Sequence, residues 1–137
     1  MPAVPAELVC IDPKRVNDVW PVARELIRSA IDYTELNDFS DIETDVLYGD
    51  QLLWLAWDGK SIEAAATTQI IKVRNQKVLI LTACEGHNRD RWLPLFDKIE
   101  QFGRDEGCKR CRIYGRKGWE RVLNGYRVEH VILEKVL

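Results

Sequence analysis

The chain has 137 residues, of which 46% are apolar and 31% charged, the composition of one ordinary globular domain rather than a disordered or fibrous chain. The formal net charge is −2, from 20 Lys and Arg against 22 Asp and Glu, so a generic polyanion binder is excluded. The balance is uneven along the chain: residues 1–50 hold 11 acids and 4 bases, whereas residues 86–137 hold 8 and 12.

Leu8–Ile11 reads as a first strand, ended by Asp12-Pro13. Asp12 can cap a helix with Pro13 at its first position. Val16, Val19, Trp20, Ala23, Leu26, Ile27, Ala30 and Ile31 have helical spacing. Pro21 falls inside that series and predicts a kink or a break. Ser40-Asp-Ile-Glu43 matches a capping box and predicts a second helix running to about Gly49.

An antiparallel meander is expected next. Its strands are Gln51–Trp57, Ser61–Val73 and Lys77–Cys84, turning at Asp58-Gly59 and Asn75-Gln76. Ile62, Ala64, Ala66, Thr68 and Ile70 should share one face. Trp54 and Trp57, three apart, should face opposite sides. Gly86–Asp90 leads into a helix with the stripe Trp92, Leu95, Phe96, Ile99 and Phe102, which ends before Gly107. Pro94 fits only its first turn. Lys109–Tyr114 is a strand, Trp119–Leu123 a short helix, and Arg127–Leu137 a last strand with Val128, Val131, Leu133 and Val136 to bury. Residues 77–114 form a βαβ unit, whose strands should be parallel.

The order β-α-α-β-β-β-α-β-α-β resembles that of the GNAT acyltransferases, which move an acyl group from coenzyme A to an amine. Leu95-Phe96…Ile99…Phe102-Gly103…Gly107-Cys108 is similar to the GNAT central helix, and Gly125-Tyr126 to the family's Gly-Phe step before the last strand. Trp-Leu-Pro-Leu-Phe (92–96), Gly107-Cys108, Gly-Arg-Lys-Gly-Trp-Glu-Arg-Val-Leu (115–123) and Leu-Glu-Lys-Val-Leu (133–137) resemble small GNAT-like proteins carried in phage and prophage genomes. The resemblance implies a single α/β domain over residues 1–137, with a mixed sheet.

It also implies a site. Acetyl-CoA or another acyl-CoA would lie where strands 77–84 and 109–114 splay, against Leu81 and Ala83. Its diphosphate would meet Gly86, His87, Asn88, Arg89, Arg91 and Trp92. In the family a loop of the form Arg/Gln-x-x-Gly-x-Gly/Ala holds that anion on free N–H groups. Here the corresponding stretch is His87-Asn-Arg-Asp-Arg-Trp92, which has no glycine, and Arg89 and Arg91 are the replacement cations. Glu85 is the candidate base, with Glu63 as a second carboxylate. The family's thiolate-protonating Tyr is matched by Trp119, whose indole cannot do that work, so Tyr126 becomes the candidate acid, with Tyr114 as alternative. His87 is equally a polar surface residue.

Other constellations weigh less. Cys84-x-x-His87 and Cys108-x-x-Cys111 have zinc-ribbon spacing, but the intervening helix would hold the pairs about 22 Å apart, so no metal is expected. Cys108-x-x-Cys111 enters a strand, not a helix, which disfavours a redox pair. The basic run Lys109, Arg110, Arg112, Arg116, Lys117 and Arg121 can face phosphates, yet it equally suits a solvated edge strand, and nucleic acid is not the favoured partner. The acids Asp32, Glu35, Asp38, Asp41, Glu43, Asp45 and Asp50 lie on the segment that the resemblance places beside the acceptor, where they would favour a cationic amine; a helix N-terminus, whose dipole favours acids, suffices to explain Asp41 and Glu43. No run approaches the roughly 20 apolar residues of a membrane span. Met1–Cys10 has no secretory pattern, so a cytoplasmic setting with reduced cysteines is expected. Two functions stay open: an acyl-CoA-dependent N-acyltransferase with an altered diphosphate loop, and a catalytically inactive module that binds a protein partner. Oligomeric state is not legible.

Overall fold

The computed structural model describes residues 5–87, 89–115 and 118–137. Asn88, Arg116 and Lys117 therefore lie outside the described residues. Strand β1 (Glu7–Cys10) leads to a 3-10 turn at Pro13–Arg15, where Asp12 accepts from Lys14 N at 2.9 Å. Helix α1 (Val16–Thr34) is continuous through Pro21. A proline costs the one bond its missing N–H would make, to Asn17. Burial of Trp20, Ala23, Ile27, Ala30 and Ile31 along one face keeps the helix whole, so the expected break does not occur.

Helix α2 (Phe39–Tyr48) is capped two residues earlier than expected. Asp38 is the N-cap and accepts from Ser40 N at 3.0 Å. The Ser40–Glu43 capping box does not form, because Glu43 accepts from Trp20 Nε1 at 2.7 Å and from Arg24. Gly49, at φ +85°, ends α2 where expected.

The meander is β2 (Leu52–Trp57), β3 (Ile62–Val73) and β4 (Gln76–Gly86). Gly59 sits at φ +93°, and Arg74 and Asn75 make the second turn at φ +50° and +66°. Beyond β4 the chain makes a short helix α3 (Arg89–Trp92), a 3-10 turn at Leu93–Leu95 that contains Pro94, and helix α4 (Phe96–Asp105). Strand β5 (Cys108–Ile113) and helix α5 (Trp119–Val122) follow. The sheet order is β1-β2-β3-β4-β5, antiparallel except for the parallel β4–β5 pair.

Each face of the sheet is covered. Helices α1 and α2 close one side over Leu53, Leu55, Ala65 and Ala83. Helix α4 closes the other over Trp54, Ala64, Ala66, Leu79 and Leu81. Gly103 allows the close approach of α4, since a Cβ there would lie 3.0 Å from Leu79. The register slips between Ala56 and Trp57, so Ile62 packs on the α1 side instead of sharing a face with Ala64, Ala66 and Ile70. Trp54 is buried and Trp57 exposed, on opposite sides as expected. The expected last strand does not form: residues 127–137 are exposed and pair with no strand. No helix among the described residues is long and apolar enough to cross a membrane.

Candidate functional site

The site begins with a bulge in β4. Thr67 of β3 faces Ala83 and Thr68 faces Leu81, which leaves Thr82 as the extra residue. Thr82 is buried, and its Oγ1 donates to Gln51 Oε1 at 2.6 Å and lies 2.7 Å from Thr67 Oγ1. Gln51 Nε2 in turn donates to Asp45 Oδ2 of α2 at 3.0 Å. The polar groups of the bulge are thus satisfied inside the core, which makes the irregularity cheap to keep. Pairing of β4 with β5 stops at the same level. Leu81 faces Ile113, and Tyr114 N donates to Leu81 O at 3.0 Å. Past that point residues 82–86 follow β3 alone, and among the described residues no strand pairs their other edge.

The loop after β4 is held from beneath. His87 N donates to Glu63 O at 2.8 Å, and Arg91 Nε to Glu63 Oε1 at 2.7 Å. Glu63 Oε2 is buried and has no hydrogen-bond partner among the described residues. A Cβ on Gly86 would lie 2.5 Å from both Glu63 O and Ala64 Cβ, so this glycine serves the contact between β3 and β4. Trp92 is buried at 4% exposure, packs near Phe96 and Trp119 with ring centres 6.3 and 6.2 Å away, and donates from Nε1 to His87 O at 2.9 Å. Arg89 is exposed on α3. The stretch therefore fits a diphosphate through an arginine side chain. It does not fit one through a glycine cradle. The space under the loop, lined by Trp54, Ala64, Ala66, Cys84, Trp92 and Phe96, is about 20 Å³, room for about one water.

Glu85 stands opposite Ala65, half-buried, with Oε1 accepting from Gly86 N at 3.1 Å. Tyr126 is elsewhere. Its hydroxyl donates to Glu100 Oε2 at 2.7 Å and lies beside Cys111, which pairs with Leu79. Leu79 and Glu85 are separated along β4 by roughly 20 Å at about 3.3 Å per residue, so Glu85 and Tyr126 are not brought together. Burial, the Cys111 thiol and Glu100 all raise the pKa of the Tyr126 phenol above its usual value. Burial and the neighbouring Glu85 push the Cys84 thiol up to about 12, and burial pushes Cys111 up to about 11. Cys108 faces Lys77 at the opposite end of β4 from Cys84, which separates the two halves of the zinc-like spacing. Among the described residues no group of three His, Cys, Asp or Glu side chains could hold a metal ion.

No protein-family model matches the chain, and no curated protein matches it by sequence. Solved structures do match by shape. An aminoglycoside acetyltransferase from an uncultured soil metagenomic sample, in complex with sisomicin, superposes with a TM-score of 0.72 at 9% identity, over 96% of this chain and 95% of that one. A GNAT family acetyltransferase of Staphylococcus aureus gives 0.64 at 14% identity, over 97% and 99%. A predicted acetyltransferase with acetyl-CoA from Clostridium acetobutylicum gives 0.63 at 13%, over 96% of each chain. The chain has the GNAT fold.

Within that GNAT fold the acidic segment divides into two groups. Glu43 and Asp45 are internal partners, of Trp20 with Arg24 and of Gln51. Asp32, Glu35 and Asp38 line an open groove of about 660 Å³ at the α1–α2 turn, with Arg28, Asn37 and Phe39. No described residue of the β4–α3 loop lines it. Sequence reasoning missed the bulge and its Thr67–Thr82–Gln51–Asp45 chain. The available signal was polar residues, Thr67, Thr68 and Thr82, inside otherwise apolar strands. It also missed Glu63 as the partner of Arg91, because 28 residues separate them.

Proposed function

We propose that the chain is an acyl-CoA-dependent N-acyltransferase in a cytoplasmic setting, with its donor lying along the unpaired edge of β4 past Leu81. That free edge, made by the Thr82 bulge in a sheet shared with acetyltransferases, is the observation that carries the reading. Acyl-CoA, when bound, supplies an activated thioester. The backbone near Ala83 offers strand N–H groups to a carbonyl oxygen, the arrangement that stabilises developing negative charge. Arg89 meets the diphosphate as an exposed guanidinium. Glu85, half-buried at the end of β4, accepts the proton of the attacking amine. The acidic groove of Asp32, Glu35 and Asp38 draws a cationic acceptor.

Calorimetric titration with acetyl-CoA and with desulpho-CoA tests the reading. Both should bind, and Arg89→Ala should weaken both at least tenfold, about the loss of one charge-assisted hydrogen bond. No heat at millimolar cofactor from folded protein would sink it. A second reading, a GNAT-fold protein-binding module of phage type without catalysis, is favoured by Gly86 and Trp92, both committed to packing where the family keeps an open loop. It predicts that null titration.

A further inference from the structure

Residues 127–137 run on from α5 without helix, turn or bend, and each is exposed. Six of these eleven are Val, Ile or Leu. Leu133 is 92% and Val136 90% exposed. A segment meant for water is polar, whereas Val131-Ile132-Leu133 is apolar on both faces of a strand, the pattern of a strand covered on two sides. Its exit from the body is fixed. Gly125 turns at φ +82°, Tyr126 is tied to Glu100, and Val128 N donates to Glu120 Oε2 at 2.9 Å. The apolar stretch begins after these anchors and has none of its own body beneath it.

The complementary surface is β5. It pairs with β4 on one side, and among the described residues no strand pairs the other. An uncovered edge is a template for another strand. The edge exposes Lys109 and Arg110, and the 127–137 segment is neutral overall, with Glu129 and Glu134 against Arg127 and Lys135 and Glu129 paired to Arg127, so no charge repulsion opposes the pairing. We propose that two copies of this chain exchange these segments, each laying residues 128–136 against the β5 edge of the other as a sixth strand, in a two-fold symmetric dimer. The partner is a second copy because both the segment and its receptor are present in one chain, while within one copy residues 127–137 stay exposed and join no strand of the described sheet.

Light scattering on the full chain at micromolar concentration tests this. The expected mass is about 32 kDa, twice 15.9 kDa. Val131→Asp with Leu133→Asp should give the monomer mass with the far-UV dichroism of the body retained, since both positions are exposed within one copy. Hydrogen exchange on the unmodified chain should protect amides of 109–113 and 128–136 together. A monomeric wild-type chain overturns the proposal. If its segment is protected, the segment folds back on its own β5; if unprotected, it is solvated. A dimer that survives the double substitution, or one whose segment exchanges freely, uses another surface and overturns it equally.

Discussion

Arg91 Nε donates to Glu63 Oε1 at 2.7 Å, and this pair ties the loop after β4 to the start of β3. The carboxylate is the more enclosed partner, with its side chain 11% exposed against 29% for the arginine. Removing the arginine therefore strands a buried negative charge. Arg91→Ala should cost about 1.5–3 kcal/mol, the range for hydrogen bonds to charged groups. Urea unfolding should show a lower midpoint with an unchanged slope. A cost within a few tenths of a kcal/mol would mean the pair is solvent-screened.

Two glycines with ordinary backbone angles should respond oppositely to alanine. At Gly86 the new Cβ would lie 2.5 Å from Ala64 Cβ and from the Glu63 carbonyl oxygen, neither of which can yield without moving β3. Gly86→Ala should cost about 1–3 kcal/mol, as overpacking does. Gly118, at φ −57° before α5, has nothing within 4 Å of its Cβ position. Gly118→Ala should be neutral or stabilise by a few tenths of a kcal/mol, through the entropy of the unfolded chain. Thermal unfolding of the two variants side by side checks the contrast.

Much of the sheet was legible because its cues are local. Asp58-Gly59 marks one turn, the apolar alternation marks β3 and β4, and the βαβ rule gives the parallel β4–β5 pair. What escaped was set by distant partners. Ser40 and Asp38 are both good caps, and the choice fell to Asp38 because Trp20, 20 residues before Ser40 in the chain, recruits Glu43. The Thr82 bulge depends on Gln51 and Asp45 of other elements. Residues 127–137 have the pattern of a strand, but pattern does not specify which edge receives it. In the site, Glu85 stands half-buried at the end of β4 and Arg89 is exposed on α3, whereas the Tyr126 hydroxyl is held by Glu100.

Alkaline pH should destabilise the fold through its enclosed thiols. Cys84 is pushed from 9.0 up to about 12 by burial and by Glu85. Because the folded value is the higher one, this contribution to stability is fully present below pH 9.0 and is lost as pH rises towards 12. Cys111, pushed up to about 11, adds in the same direction. Urea midpoints should fall as pH is raised above 9.0, and Cys84→Ala should flatten that fall. An equally steep decline in the variant would assign it to other groups.

The start of α2 offers the opposite sign. Asp38 takes hydrogen bonds from Ser40 N and Ser40 Oγ, which lower its pKa below the ordinary 3.8. A depressed folded value means the stabilisation is present above pH 3.8 and is lost as pH falls through the folded value. Asp38→Ala should therefore lower the melting temperature at neutral pH and shrink the difference from wild type in strong acid. Asp38→Asn should keep much of the cap, since its side-chain oxygen still accepts from the backbone, but without the pH dependence. Ser40→Ala keeps the backbone donor and should fall well short of Asp38→Ala. If Ser40→Ala instead proves the more damaging, the capping box of Ser40 and Glu43 is the one that holds in solution.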